Sequence, residues 1–352
     1  MKVVSCSPHV HSSLDTVSAM RDVIIALTPA ALWGVYQFGL SALITLLLSI
    51  GSSVACEAVL NKISKESTLF DLSAIVTGLL IGMNMPPHVP FFVPILASIF
   101  AIFITKWTFG GLGCNWMNPA LAGRVFVFFS FTKLMSGFST PRALTTVDAT
   151  STATVLSTIK TSISASATGT NEVLLREASM PLTSFAEKVG VGLNINPYAV
   201  DAFFGSLSGC IGEVSAFLLI IGAIYLICRK IITWHIPVVY LGSFAILTWI
   251  FGGIPSGFGA FKGEILLPLF SGGLMLGALF MATDWVTSPT TVKGQIIYAI
   301  GCGFFTFLIR SFGSLPEGTS LAILLMNIVT PTLERYIKPK KFGAVKKVKE
   351  AK

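Results

Sequence analysis

Long apolar stretches separated by short polar or glycine-rich breaks fill almost the whole chain. A membrane span needs ~20 mostly apolar residues to cross the hydrocarbon core. About ten stretches meet this, roughly 21–39, 40–60, 71–86, 88–106, 118–133, 208–228, 234–252, 264–283, 293–312 and 319–336. Several carry Pro29, Pro94 or Gly272-Gly273 inside them, which membrane helices tolerate when neighbours satisfy the freed backbone groups. One long polar stretch, 134–207, breaks the rhythm. The pattern therefore predicts a membrane half of about five helices over 1–133, a loop over 134–207, a second half of about five helices over 208–336, and a tail over 337–352.

Composition supports a membrane protein. Hydrophobic residues make up 53% of the chain and charged ones 11%, against about 25% charged in soluble domains. Residues 1–22 lack the short apolar run and small-residue cleavage site of a secretory signal, so the first span is expected to remain as an anchor.

Charge sets the expected orientation. From Glu334 onward eight basic residues face two acids. Because they follow directly on a span, they read as a cytoplasmic anchor rather than a nucleic-acid site. With about ten spans, both termini are then cytoplasmic. Lys62, Lys65, Lys106, Arg229, Lys230 and Lys293 fall in inner loops, whereas His88, Lys262 and Arg310 fall at the outer side. The 134–207 loop lies outside. The two halves share a faint pattern, since Ile104-Thr105-Lys106-Trp107-Thr108-Phe109-Gly110-Gly111 is echoed by Leu308-Ile309-Arg310-Ser311-Phe312-Gly313-Ser314. An odd number of spans per half turns the second copy upside down, the inverted-repeat plan of many transporters.

Much chemistry is excluded. The six cysteines (Cys6, Cys56, Cys114, Cys210, Cys228, Cys302) are scattered without metal-ligand spacing. Cys114 reads as a small apolar filler. The histidines form no ligand motif, and phosphate-loop, dinucleotide and nucleophile-elbow signatures are missing. Among the acids in or beside spans, Asp71 and Asp284 read as helix-end groups, with Asp71 able to cap the third span. Glu57 and Glu213, each flanked by apolar residues, are the candidates for an ion path, because an unpaired carboxylate in a membrane is costly unless used.

Within the loop, Asp148-Ala149-Thr150-Ser151-Thr152-Ala153-Thr154 combines small side chains with a terminal hydroxyl. Such a segment suits entry into another enzyme's active site as an extended peptide. A Ser/Thr-rich solvated loop is the alternative.

Taken with Gly110 to Ala120, Ser271 to Ala278, Thr283 to Thr291 and Arg310 to Gly313, this heptapeptide closely resembles the RnfD family of the Rnf complex, which also includes the B component of the sodium-pumping NADH:quinone reductase. The resemblance runs over nearly the whole chain. It implies an all-α membrane fold of about ten helices in two inverted five-helix repeats, related to ammonium and urea channels. It implies electron transfer between ferredoxin and NAD coupled to Na+ or H+ translocation in a bacterial or archaeal inner membrane, with the A, B, C, E and G components of the Rnf complex as partners. It further implies FMN joined by a phosphoester to a threonine by a dedicated flavin transferase, and a second, non-covalent flavin, riboflavin. In the family's acceptor pattern, Thr154 stands at the acceptor position, with Asp148, Ser151 and Ala153 matching the rest. Thr152 departs, standing where the family often has glycine. A stand-alone channel or transporter of the same plan, without flavin, is the alternative.

Overall fold

A computed structural model describes residues 15–338, apart from 66–67, 140, 142–150, 165–170, 179 and 256. The N-terminal half contains α1 (Thr16–Phe38), α2 (Leu40–Ser64), α3 (Ser73–Met83), α4 (Phe92–Ile99) and α5 (Pro119–Ser130). The wider turns of a π-helix, Phe100–Trp107, extend α4. The stretch between the halves forms α6 (Thr132–Met135), a two-residue antiparallel pair β1 (Phe138–Ser139) and β2 (Ser151–Thr152), then α7 (Val155–Ser164), α8 (Asn171–Glu177), α9 (Ser184–Leu193) and α10 (Pro197–Phe204). The C-terminal half contains α11 (Ala216–Cys228), α12 (His235–Phe251), α13 (Leu266–Phe270), α14 (Leu274–Leu276) running into a π-helix at Gly277–Met281, α15 (Val292–Ser311) and α16 (Thr319–Tyr336).

Each predicted apolar stretch carries a helix, but several are shorter than expected. Helices α1, α2 and α15 are long and apolar enough to cross a membrane, and five shorter apolar helices accompany them. The expected 208–228 span begins as helix only at Ala216. Before it, 205–215 runs as largely buried non-helical chain whose amides find partners at the end of α3: Gly212 N–H donates to Met83 O at 2.7 Å and Ile211 N–H to Met85 O at 3.1 Å. Such irregular backbone is stable at depth only when the surrounding protein satisfies it. The 264–283 stretch breaks at Gly272-Gly273, both left-handed at φ 67° and 68°.

One continuous apolar core joins the halves, running through Leu27, Leu46, Ile81, Val93, Leu121, Ile211, Tyr240, Leu276 and Tyr298. The stretch expected as a loop is mostly helical. It has its own small core of Val155, Ile159, Leu174, Leu175 and Tyr198, fastened to the bundle through Leu207 and Leu267. The Tyr198 hydroxyl donates to Met180 O at 3.1 Å, and buried Asp201 accepts from the Thr183 amide at 2.9 Å. Burial raises the Asp201 carboxyl above the usual range, while the Thr183 bonds pull it down. Val155, Ile159 and Ile163, spaced four apart, give α7 a single apolar face. The Ser/Thr content around them conceals that helical pattern.

Candidate functional site

Two cavities lie at opposite ends of the bundle, and a buried charge cluster sits between them. One cavity, at the end where α1 begins and α16 ends and called inner after the orientation expected from the charges, has a volume of about 370 Å³ and is lined by Ser73, Lys106, Asn115, Asn118, Asp284 and Trp285 among others. It is where the Gly110–Ala120 and Thr283–Thr291 motifs meet. Asn118 is there for a local reason: its side chain caps α5, accepting from Ala120 N–H at 3.0 Å and Leu121 N–H at 3.3 Å, with Pro119 at the first helical position. Its amide nitrogen then donates to Met281 O at 3.2 Å, binding the two halves together. Trp285 Nε1 donates to Ile231 O at 2.7 Å, and Thr287 donates to Asp284 at 3.1 Å.

Lys106 forms the cavity's charged wall. Its Nζ lies 2.7 Å from Glu57 Oε1 and 2.6 Å from Ser73 Oγ. Ser73 in turn donates to Asp71 at 2.6 Å through Oγ and at 2.9 Å through its amide, so Asp71 holds the first amide of α3 from one residue ahead of the N-cap position, Leu72. Thr68 lies within 3.0 Å of both Glu57 Oε1 and Asn61 Oδ1. One hydroxyl proton cannot serve both acceptors, so the Asn61 amide reads better with its nitrogen facing Thr68.

The outer cavity, about 670 Å³, is lined by Leu156, Lys160, Phe244, Lys262, Arg310 and Phe312 among others. Arg310 organises it. Its Nη1 donates to Pro268 O at 2.7 Å, and its Nη2 to Gly272 O at 2.6 Å and Ser271 O at 3.2 Å, while its guanidinium carbon lies 5.3 Å from the Phe244 ring centre. Its Nε is buried without a partner among the described residues. Lys160 Nζ reaches Arg310 O at 3.1 Å and Leu315 O at 2.8 Å, and burial pulls its ammonium below the ordinary lysine value.

A narrow cleft adjoins this cavity across Leu156, and Thr154, Ser208, Glu213, Gly272 and Glu317 line it. The left-handed pair Gly272-Gly273 is required there. A Cβ on Gly272 would stand 2.4 Å from Leu156 Cδ1, and one on Gly273 2.4 Å from Glu213 Oε1. Thr154 is only 5% exposed. It begins α7: Ser157 N–H donates to its Oγ1 at 3.3 Å, its own hydroxyl lies 3.1 Å from Ser157 Oγ, and Thr158 N–H donates to its carbonyl at 2.9 Å. The hydroxyl expected to enter a transferase is therefore buried at the start of a helix. Ala153 is exposed beside it. Asp148 lies outside the described residues, as does the Ser151 side chain.

Glu57 and Glu213 are not unpaired, contrary to expectation. Glu57 pairs with Lys106. Glu213 Oε1 lies 3.4 Å from Arg124 Nη2, which also contacts Glu317 Oε2 at 2.7 Å. Arg124 Nη1 donates to Asn84 at 2.9 Å and Ser320 at 3.0 Å. Cys210, Glu213 and Glu317 bring ligand atoms within 4.8 Å of one another, but the guanidinium already occupies the cation's place. Arg124 and Glu317 escaped the sequence reading. The signal was present for the first: Arg124 is a charged residue inside the fifth apolar stretch, and intramembrane charge marks function. Lys106 and Arg310, read as loop and edge charges, are drawn into the protein instead. Cys114, read as a filler, is exposed.

A helical bundle with apolar spans, broken segments packed inside and paired buried charges has the build of an integral membrane protein. The chain belongs to the NQR2, RnfD, RnfE family, whose profile matches residues 3–343. It is 44% identical to the D component of the Na(+)-translocating ferredoxin:NAD(+) oxidoreductase complex of Acetobacterium woodii, over 99% of this chain and 98% of the relative. It is 42% identical to the proton-translocating counterpart of Clostridium ljungdahlii, over 97% and 96%. It is 35% identical to the D component of the ion-translocating oxidoreductase complex of Stutzerimonas stutzeri, over 95% and 93%.

Proposed function

We propose that the chain is a flavin-bearing, electron-transferring membrane subunit of an Rnf-type complex. It carries FMN as a phosphoester on Thr154 and passes electrons between ferredoxin and NAD in steps coupled to Na+ or H+ movement, together with the A, B, C, E and G components. The proposed orientation has both termini in the cytoplasm and α7–α10 outside. The observation that carries the reading is the place of the Thr154 hydroxyl: at the N-terminus of a ten-residue helix, in a cleft floored by the Ser271-Gly272-Gly273 motif, beside the Arg310 cavity.

These residues fit a phosphoester. A phosphate on Oγ1 meets the first-turn amides of α7, where the helix dipole favours negative charge by about 0.3–1 kcal/mol. Arg310 adds a cation whose buried Nε has no partner among the described residues. Glu213 and Glu317 oppose an anion in the cleft itself, so the attached group extends over Leu156 into the larger cavity, which is within the usual size of ligand sites. There Phe244 and Phe312 supply apolar walls. FMN, when bound, supplies one- and two-electron redox chemistry; the protein fixes its position and shields it from water. The inner cavity, smaller and bounded by polar groups of both halves, suits the non-covalent flavin. The inverted-repeat plan is supported by Lys106 and Arg310. Each ends the fourth span of its half, at opposite ends of the bundle, and each contacts a serine of its half's third segment, the Ser73 hydroxyl at the start of α3 or the Ser271 carbonyl at the break after α13. A flavin-free channel is less well supported, because the Arg124 cluster closes the bundle between the cavities.

Thr154→Ala should abolish flavin fluorescence of the denatured protein when a flavin transferase is coexpressed, while Thr158→Ala should leave it intact. Peptide mass spectrometry finding FMN on another residue would overturn the assignment. Burial of Thr154 adds a condition. For the hydroxyl to reach a transferase, α7 must leave its seat, because Val155 and Ile159 are 2% and 8% exposed. Ile159→Asp, which weakens that seat, should speed flavin attachment to a purified unmodified complex. Equal rates in the two proteins would show that α7 need not undock.

A further inference from the structure

We propose that Lys106 is the charged contact for the electron-rich edge of the ligand in the inner cavity, with Glu57 and Ser73 as its positioning residues. This rests on the reading of that cavity as a non-covalent flavin site.

The ammonium is 5% exposed on the cavity wall. Its carrier is unusual. The helix from Phe92 widens into π turns over Phe100–Trp107, a distortion frequent at functional sites. Here the extra width coincides with a lysine turned into the bundle. Two of its three protons are used, toward Glu57 Oε1 and Ser73 Oγ. The direction of each bond is fixed. Ser73 spends its own proton on Asp71 and so accepts from Lys106, while Glu57 is further fixed by Thr68. The two acceptors therefore hold the ammonium and leave one N–H without a partner among the described residues.

A buried ion pair is a poor source of stability, since an apolar pair of similar volume often does as well or better. A pair on a cavity wall has a different use. It keeps a cation at low dielectric without demanding net charge from the fold. The same lining holds Asp284, an acceptor shared with Thr287 and Asn115, and Asn118, whose amide keeps one proton beyond its bond to Met281 O. A ligand matched to these groups carries carbonyl or imine acceptors on one edge and N–H donors nearby, as a fused pyrimidinedione ring does. Adding electrons to such a ring raises negative charge on the acceptor edge, and a fixed cation nearby favours that state by Coulomb attraction.

The test uses the purified complex with Lys106→Met/Glu57→Gln, which removes both charges together and avoids a stranded carboxylate, and with Lys106→Arg. Two quantities are read: flavin released on denaturation relative to the covalent flavin that stays, and the reduction potential of the releasable flavin. The double variant should lose the releasable flavin by about tenfold in affinity, or keep it at a more negative potential, and Lys106→Arg should restore most of the effect. A double variant with full releasable flavin at unchanged potential overturns the role of Lys106. A wild-type complex without releasable flavin overturns the cavity reading, and this inference with it.

Discussion

Lys106 and Arg310 occupy matching places at opposite ends of the bundle, yet they are held differently. Lys106 meets a carboxylate that is itself off the cavity lining, so the pair is neutral overall with its ammonium end on the cavity. Arg310 meets carbonyls and a hydroxyl, with Thr319 Oγ1 at 3.2 Å completing the set, and forms no ion pair among the described residues. Carbonyl dipoles orient a guanidinium without neutralising it. The inner wall is therefore a closed pair and the outer wall a net cation. The difference suits the two proposed ligands: a neutral ring held by shape and polar edges inside, and a ring tethered through an anionic phosphodiester outside. Arg124, between them, is a third arrangement, with one cation against two acids. It leaves a surplus carboxylate in a buried setting, which a proton or a bound cation relieves. Glu213, rather than Glu57, is then the stronger candidate for ion coupling.

The largest expected effect separates these arrangements at the middle of the bundle. Arg124→Met strands two carboxylates and should cost about 3–5 kcal/mol, read as a sharp fall in the thermal transition of the detergent-solubilised protein. Glu213→Gln removes the surplus charge instead and should leave stability unchanged or raised, while lowering ion uptake per electron in the assembled complex. Glu57→Gln should leave that ratio unchanged. If Glu213→Gln destabilises as much as Arg124→Met, the cluster is not overloaded with negative charge. Should Glu57→Gln and Glu213→Gln both keep normal uptake per electron, both acids are structural.

A smaller effect is expected from Arg310→Lys. A lysine keeps the charge but loses the fork that ties Pro268, Ser271 and Gly272 together. Losing a charged hydrogen bond costs about 1.5–3 kcal/mol, and the left-handed glycine pair should loosen. Covalent flavin should still be attached, but its fluorescence in the native complex should become more accessible to a soluble quencher. Unchanged quenching would mean that the outer cavity does not enclose the tethered ring.

The contrast between legible and hidden features follows sequence distance. Helices α1, α2, α12 and α15, the Asp71 contact with the start of α3 and the Asn118-Pro119 helix start can be read from residues within a turn or two of each other. So can Arg124, as a charge within an apolar stretch, once it is treated as a signal. The pairings are another matter. Lys106 finds Glu57 across 49 positions, and Arg124 finds Glu213 across 89 and Glu317 across 193, and no local pattern encodes which acid meets which base. Counting Lys106 and Arg310 as loop charges followed the same limit, since a cation at a helix end looks alike whether it faces water or a cavity. The helices of 155–204 were hidden differently. The helices are short, their apolar positions are interleaved with Ser and Thr, and they need the bundle's Leu207 and Leu267 to complete a core.

The smallest effect tests whether the two ends are independent. Asp71 holds the first turn of α3 through the Ser73 amide and also fixes the hydroxyl that accepts from Lys106. Replacing a capping acid by alanine costs about 1 kcal/mol, so Asp71→Ala should lower the thermal transition only slightly. Its chemical consequence is confined to the inner end. Without Asp71 the Ser73 proton is free to rotate toward Lys106, and the ammonium loses an acceptor. The releasable flavin should therefore bind more weakly, by less than in the Lys106→Met/Glu57→Gln protein, while the covalent flavin on Thr154 keeps its amount and its quenching. A change in the covalent flavin would mean that the cavities communicate through the Arg124 layer, since Asp71 touches nothing at the outer end.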